Sequence, residues 1–177
     1  MQKAARGIGQ LNLININILN PFRPSRPRRT APICIFCAML VKGLSYTSHI
    51  EVRYAETDAM GVVHHGSYPI WFEQARIDFF KSIGAPYTAI EKEGFESPVL
   101  ELVVRYRQPC KFGDTVDIET TIYKVNTLKW KFQYRLFVGE TLCATASTLH
   151  AFTKGGVPTM EKPECFKKVE GKLFPDK

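Results

Sequence analysis

The sequence predicts an α+β domain in which an antiparallel sheet wraps around one long central helix. Three observations lead to this prediction. Apolar residues recur at helical spacing over residues 68–83, directly after a short strand-like segment. Four later runs alternate apolar and polar residues, which is typical of half-buried strands. Turn-forming residues separate these runs, which favours an antiparallel meander with one buried face.

The central helix has recognisable ends and two apolar surfaces. Ser67 can cap its first turn, Pro69 fits there because its missing N–H costs little, and Gly84 ends it. Ile70 and Ile77 form an apolar patch nearly opposite the main stripe, so we expect the helix to be enclosed on both sides. The main stripe consists of Tyr68, Trp71, Phe72, Ala75, Phe79 and Ile83. A short helical or turn segment is expected over residues 86–93.

The strand pattern has one run before the helix and four after it. Ile50, Val52 and Tyr54 point to one face of the first strand, since charged residues alternate with them. The four later runs cover residues 100–107, 116–122, 128–138 and 142–153.

The positive charge of the chain is concentrated in its first part. Residues 1–50 contain seven basic residues and no acid, whereas residues 51–177 contain 17 of each sign. The predicted domain is therefore neutral, and the composition gives no argument for nucleic-acid binding. The apolar run over residues 11–19 is too short and too rich in Asn for a membrane span, so no stable membrane insertion is expected.

Residues 1–45 are predicted to be an extension, and residues 46–170 the folded domain. The extension is expected to be disordered, because prolines interrupt it and no periodic pattern links it to the core. Two interpretations remain open: an organelle-targeting leader, or an over-extended start with the natural one at Met39. The second gives a cytoplasmic protein, and the first a plastid or mitochondrial one.

The cysteines give no evidence for a metal or cofactor. Cys34 and Cys37 form a C-x-x-C pair with no second pair or nearby His, so a zinc site is not favoured. Cys110 and Cys143 lie in or beside strand-like runs and are expected to be core residues of a protein in a reducing compartment. The sequence contains no phosphate-binding or dinucleotide-binding Gly motif. We therefore expect no metal and no cofactor.

The loop before the helix collects the residues with chemical potential. Asp58, His64 and His65 precede the predicted helix start, where unpaired N–H groups and the positive end of the helix dipole lie. Gly61 supplies the turn within this loop. A carboxylate, two imidazoles and several amide donors in one loop form a candidate site.

This segment resembles the hotdog-fold acyl-CoA thioesterases. The resemblance rests on Tyr54-x-Glu-Thr-Asp58-Ala-x-Gly61-Val-Val-x-His65-x-x-Tyr68 and the following Phe72-Glu73-x-Ala75-Arg76, and it extends over roughly residues 48–165. The branch it resembles most contains 4-hydroxybenzoyl-CoA thioesterase and the bacterial Tol-Pal-associated acyl-CoA thioesterase. The resemblance implies a homodimer, with sheets joined edge to edge, or a homotetramer. It also implies active sites at the dimer interface and an acyl-CoA substrate.

By the same resemblance, Asp58 is the catalytic carboxylate, and Tyr54 and His65 are its supporting polar residues. Glu73 is a second candidate, because another hotdog branch uses a glutamate on the central helix. The chain departs from the branch at Ser67, where Asn is common, and at His64, where Tyr or Phe is common. The predicted substrate-binding residues are Gly61, Val63, His64, Gly66, Tyr68 and Glu73.

The chemistry of thioester hydrolysis suits this loop. Asp58 could attack the carbonyl carbon itself or deprotonate a water, and N–H groups near Val63 to Gly66 could polarise the thioester oxygen. A purely structural interpretation makes Asp58 a turn residue. The competing functions are an acyl-thioester-binding protein without activity and a hotdog dehydratase. The acyl group, whether aromatic or of short to medium length, is left open.

Overall fold

The computed structural model describes residues 41–174 as an antiparallel sheet with helices packed against it. Three helices occur in this part of the chain: α1 (Ser67–Ser82), α2 (Tyr87–Lys92) and α3 (Glu164–Leu173). The five-stranded main sheet consists of β1 (Val41–Glu51), β3 (Val99–Tyr106), β4 (Thr115–Lys124), β5 (Lys129–Val138) and β6 (Thr141–Ala151). A small sheet consists of β2 (Phe95–Glu96), β7 (Thr153–Lys154) and β8 (Val157–Pro158). The predicted α+β class is confirmed.

The strand order of the main sheet is β1-β4-β5-β6-β3, and all four pairings are antiparallel. Strands β4, β5 and β6 form the predicted meander. The prediction is wrong for β3, which pairs with β6 and not with its successor β4. After β3 the chain crosses the sheet to β4, which lies beside the opposite edge strand β1. The Arg107 N–H donates to the Cys143 carbonyl at 2.8 Å, and the Val52 N–H donates to the Asp114 carbonyl at 2.9 Å. This connection is therefore fixed to β6 at its start and to the end of β1 at its finish.

The core lies between α1 and the face of the sheet that α1 covers. The Phe72 ring stacks on Tyr134 with 4.7 Å between ring centroids, and Phe79 meets Phe132 edge-on at 5.4 Å. Burying each large apolar side chain contributes about 1.5–3 kcal/mol. The predicted main stripe is confirmed, and its buried members are Tyr68, Trp71, Phe72, Ala75 and Phe79.

Strand β3 and the second patch of α1 are exposed in the single chain. Ile70 and Ile77 are 58% and 40% exposed, so the prediction of a helix enclosed on both sides is wrong for the protomer. The apolar side chains over residues 99–103 of β3 are 40% to 48% exposed, and the predicted buried face of this strand is absent. Within the described residues, β3 pairs only with β6, so one of its edges is open.

Several boundaries differ from the predicted ones. Strand β1 ends at Glu51, and Tyr54 lies in a 3₁₀ turn and not in the strand. Ser67 does not cap α1, because its hydroxyl donates to the Glu56 carbonyl at 3.2 Å instead. Gly84 follows the helix with φ +80°, as its predicted role in ending the helix requires.

The described elements run from β1 to the end of α3. The prediction about residues 1–45 therefore falls largely on residues that the structure does not describe, and it stays a prediction. No helix within residues 41–174 has the length and apolar character needed to cross a membrane.

Candidate active site

A tight loop presents Asp58 ahead of α1. The Asp58 N–H donates to the Val62 carbonyl at 2.9 Å, the Gly61 N–H donates to the Asp58 carbonyl at 2.9 Å, and Thr57 bridges Val63 in antiparallel fashion. Gly61 has φ +72°, a conformation that side chains disfavour, although a Cβ there would meet nothing within 4 Å. Backbone conformation therefore explains why glycine occurs at this position.

The two oxygens of the Asp58 carboxylate differ in their hydrogen bonding. Its Oδ1 accepts the Met60 N–H at 2.8 Å, which is an Asx turn. Its other oxygen forms no hydrogen bond or ion pair with any residue that the structure describes. The turn and the catalytic interpretations of Asp58 are thus compatible, because the loop engages one oxygen and leaves the other for chemistry.

Glu56 anchors the loop to α1, and sequence reasoning missed it. Its Oε1 accepts bonds from the Arg53 guanidinium at 2.7 Å and the Trp71 indole at 3.0 Å. Its carbonyl accepts the His64 N–H at 2.8 Å as well as the Ser67 hydroxyl. Burial raises the pKa of the Glu56 carboxyl, but the hydrogen bonds from Arg53 and Trp71 outweigh it and the pKa is lowered overall. A Trp within an apolar helix stripe needs an acceptor, and this is the signal that could have identified Glu56.

The two histidines lie side by side at the start of α1. Their ring centroids are 4.0 Å apart, and both side chains are exposed. The His64 Nδ1 accepts the Gly66 N–H at 3.1 Å, which assigns the proton of a neutral His64 to Nε2. A Cβ on Gly66 would lie 3.1 Å from that Nδ1, so glycine permits this close approach.

The backbone donors available to a substrate are fewer than predicted. The Val63 N–H donates to the Cys110 carbonyl at 2.9 Å and the His64 N–H to Glu56, so the prediction that these two amides bind substrate is wrong. The His65 N–H has no partner among the described residues, and the Gly66 N–H bonds only the His64 imidazole. The His65 amide therefore remains unpaired near the positive end of the α1 dipole, and the adjacent Gly66 amide becomes available to a ligand when the His64 imidazole releases it.

Tyr68 belongs to the core and not to the substrate surface. Its side chain is 3% exposed, and its ring meets the Tyr106 ring edge-on at 4.9 Å. Burial raises the pKa of the Tyr68 phenol far above its ordinary value, so the hydroxyl stays protonated. The predicted substrate contact of Tyr68 stays a prediction, and the protomer buries this side chain. Tyr106 of β3 reaches the site instead, since its hydroxyl donates to the His65 carbonyl at 3.2 Å; no sequence signal pointed to it.

The side chains of two predicted site residues have other surroundings. Tyr54 is 76% exposed and packs edge-on against Phe112 at 5.5 Å, and its hydroxyl forms no hydrogen bond to Asp58 or to His65. Glu73 lies further along α1, where it lines a separate cavity. Contacts therefore join Asp58 to Gly61 within the turn, and His64 to His65 and Gly66 at the start of α1. The Tyr54 carbonyl accepts from Thr57 of the same loop, whereas Glu73 lies at the cavity.

The separate cavity has a volume of about 870 Å³ and lies between α1, α2 and the start of β3. Its wall is mainly apolar, with polar groups from Glu73, Arg76, Ser97 and His150. A mostly apolar cavity with a few convergent polar groups is the usual form of a small-molecule site. Within residues 41–174, no cluster of three or more His, Cys, Asp or Glu side chains could hold a metal ion.

Comparison with known proteins agrees with the fold. Residues 52–167 match the family model of the thioesterase-like superfamily. YneP of Bacillus subtilis, named as a candidate acyl-CoA thioesterase, is 37% identical over 130 residues, which cover 72% of this chain and 88% of YneP. The acyl-CoA thioesterase YbgC of Haemophilus influenzae is 29% identical over 110 residues, with 62% of this chain and 79% of YbgC covered.

A solved structure extends this similarity. The DHNA-CoA thioesterase of Staphylococcus aureus has a TM-score of 0.64 and 33% identity, with 72% of this chain and 91% of that chain covered. The resemblance to hotdog thioesterases and the hotdog fold are confirmed, and a thioesterase is confirmed as the family's enzyme class. The chain belongs to the thioesterase-like superfamily.

Proposed function

We propose that the protein hydrolyses acyl-CoA thioesters, with Asp58 as its catalytic carboxylate. The observation that carries this proposal is a loop before α1 that holds both an Asp58 oxygen and a His65 amide without partners among the described residues. The relatives YneP and YbgC, whose names refer to acyl-CoA thioesters, support the substrate class.

The amides of His65 and Gly66 stabilise the oxygen that becomes negative. When a nucleophile adds to the thioester carbon, the carbonyl oxygen gains charge and accepts stronger hydrogen bonds from these N–H groups. Loss of one well-aimed donor of this kind costs ~3 kcal/mol in the transition state. The Gly66 amide exchanges its bond to the His64 imidazole for the substrate oxygen, because the exposed ring is free to turn away.

Asp58 acts as nucleophile or as general base. In the first route its free oxygen bonds to the acyl carbon, the C–S bond breaks, and coenzyme A leaves as the thiolate; water then cleaves the mixed anhydride. In the second route the carboxylate takes a proton from water, and the resulting hydroxide adds to the carbon before the same C–S bond breaks. His65 is next to the donors, and its exposed imidazole assists the departing thiolate or orients the substrate.

A homodimer completes the site. The open apolar edge of β3 and the exposed Ile70 and Ile77 form a surface that a second copy would cover. In such a dimer a twofold axis lies between the two β3 strands, which therefore run antiparallel. The start of each β3 lies at the wall of the 870 Å³ cavity, and it would then be near the end of the partner's β3. Because Tyr106 at that end bonds His65, each cavity would lie near the partner's Asp58 loop. Further association to a tetramer is compatible with this pairing.

Thiol release tests the function. Purified protein is incubated with a panel of aromatic and short to medium aliphatic acyl-CoAs, and free coenzyme A is detected with a thiol reagent. We expect hydrolysis of at least one class at a rate that depends on Asp58. Tight binding of acyl-CoA without thiol release would favour the non-catalytic alternative, and loss of water from a 3-hydroxyacyl-CoA would favour a dehydratase.

A further inference from the structure

A chain of buried hydrogen bonds links Arg76 of α1 to the floor of the 870 Å³ cavity. The Arg76 guanidinium donates to the Tyr134 hydroxyl at 3.2 Å, and that hydroxyl lies 2.8 Å from the Thr148 hydroxyl. The Thr148 hydroxyl lies 2.8 Å from the His150 Nε2, and the His150 Nδ1 lies 3.4 Å from the Ser97 carbonyl oxygen. The thioesterase chemistry proposed above uses none of these groups.

One arrangement of protons satisfies every polar group in this series of hydrogen bonds. A guanidinium can only donate, so the Tyr134 oxygen accepts from it and its own proton points to Thr148. In this arrangement the Thr148 hydroxyl donates to an unprotonated His150 Nε2. The proton of His150 is thereby placed on Nδ1, where it faces the Ser97 carbonyl.

The buried members of the chain have no donor left for a ligand. Tyr134, Thr148 and His150 are each at most 1% exposed, and their protons are used within the chain. Burial and the Arg76 charge lower the pKa of His150 to about 4, so this imidazole is neutral at physiological pH. Of the side chains joined by these hydrogen bonds, Arg76 is the one that still has N–H groups to donate to a ligand.

Arg76 is a partly buried cation with spare donors at the cavity wall. One of its N–H groups is used by Tyr134, and no carboxylate of the described residues forms an ion pair with it. The other charged groups that line the cavity, Glu73, Lys81 and Glu91, are exposed and therefore well screened by solvent. Guanidinium groups bind carboxylates in a planar, two-bonded arrangement, which suits a fixed arginine.

We propose that Arg76 determines acyl specificity by binding an oxygen-bearing group, a carboxylate in the strongest case, at the far end of an acyl group held in this cavity. This inference rests on the proposed thioesterase function and on the dimer, which brings the cavity near the partner's Asp58 loop. The apolar wall, including Ile77, Phe80 and Val99, contacts the methylene or aromatic part of the acyl group.

The test compares glutaryl-CoA with valeryl-CoA, whose acyl chains have equal carbon number and differ in a terminal carboxylate or methyl group. Binding is measured by calorimetry in the slow Asp58→Asn background, with and without Arg76→Met. We expect Arg76→Met to weaken glutaryl-CoA binding by about 10-fold or more, the usual range for a charge-assisted hydrogen bond, and to leave valeryl-CoA binding unchanged. Arg76→Lys keeps the charge without the planar geometry, so its affinity for glutaryl-CoA should lie between those of the Arg76 and Arg76→Met proteins.

The outcomes separate this inference from the proposed function. Equal weakening of both ligands, no change with glutaryl-CoA, or no glutaryl-CoA binding at all would overturn the role of Arg76. Hydrolysis of valeryl-CoA by the wild-type chain tests the thioesterase function independently of that result. If Arg76→Met does not fold by circular dichroism, Arg76→Gln and Arg76→Lys provide the same comparison with smaller structural change.

Discussion

Asp58 and Glu56 are neighbouring carboxylates in opposite environments. Glu56 is buried, and its oxygens accept bonds from Arg53 and Trp71, so it stabilises the loop and has no capacity left for chemistry. Asp58 is partly exposed and has one oxygen without a partner among the described residues. Glu56 is therefore committed to the structure of the loop, whereas Asp58 has the free oxygen that its proposed catalytic role requires.

Replacing Glu56 with Gln should make stability less dependent on pH. The folded-state pKa of Glu56 is lowered, so its contribution is present above the unfolded value of roughly 4.3 and is lost as pH falls through the folded value. At pH near 7 we expect Glu56→Gln to lower the free energy of unfolding by about 1–3 kcal/mol, since a charge-assisted bond to Arg53 is weakened. Below the folded pKa the difference should shrink.

The measurement is the thermal midpoint of both proteins across an acidic pH series. Glu119→Gln is the matched control, because Glu119 also pairs with an arginine, Arg135 at 3.0 Å, but on the exposed surface. It should change the midpoint little at any pH. A Glu56→Gln variant with the same pH dependence as wild type would mean that Glu56 does not anchor the loop.

At the residue scale, the sequence motif was enough to identify the loop but not its hydrogen bonds. Asp58 and Gly61 share the turn, and His65 follows it beside His64 at the start of α1, while their roles stay predictions. The loss of Val63 as a donor could not be predicted, because its partner Cys110 is distant in sequence. Hydrogen bonds across such separations depend on the strand order, which periodicity does not encode.

The loop that carries Asp58 depends on one backbone conformation. We expect Gly61→Ala to destabilise the protein by about 1–2 kcal/mol, because a Cβ is unfavourable at φ +72° even where space is free. Chemical denaturation measures this. Gly171 is the control: it lies in α3 with nothing within 4 Å of an added Cβ, so Gly171→Ala should stabilise by about 0.5–1 kcal/mol. Equal effects of the two changes would contradict the conformational argument.

At the element scale, periodicity predicted α1 and the meander strands well. Strands β4, β5 and β6 alternate in burial as their sequences do, because each has one face on α1 and the core. Strand β3 alternates in sequence, but only its Val104 is partly buried against the core, and its other side chains are exposed. Its place at the sheet edge is decided by pairing with β6, and the proposed homodimer would supply its missing cover.

The whole molecule is expected to assemble through β3. Leu102→Asp should shift the protein towards monomer and reduce thioester hydrolysis strongly, because a buried, unpaired carboxylate is costly at an apolar interface. Light scattering after size exclusion measures the mass. Leu44→Asp is the control, since Leu44 is similarly exposed, at 43%, on the opposite edge strand β1. An active monomer, or equal disruption by both changes, would contradict assembly through β3.

Some predictions for the whole chain stay open. The extension over residues 1–45 and the cellular location remain predictions, because most of that segment is outside the described residues.

Asp58 is proposed to perform the chemistry, and the turnover number of an Asp58→Asn variant tests this role most directly. Asp58→Asn keeps the shape and the Met60 hydrogen bond but removes nucleophilicity and basicity. With a neutral acyl-CoA, we expect kcat to fall ~100-fold or more while KM changes little. Glu73→Gln, the carboxylate of the alternative branch, should cost far less, with folding of both variants checked by circular dichroism. Retention of most of the wild-type kcat by Asp58→Asn would contradict the mechanism.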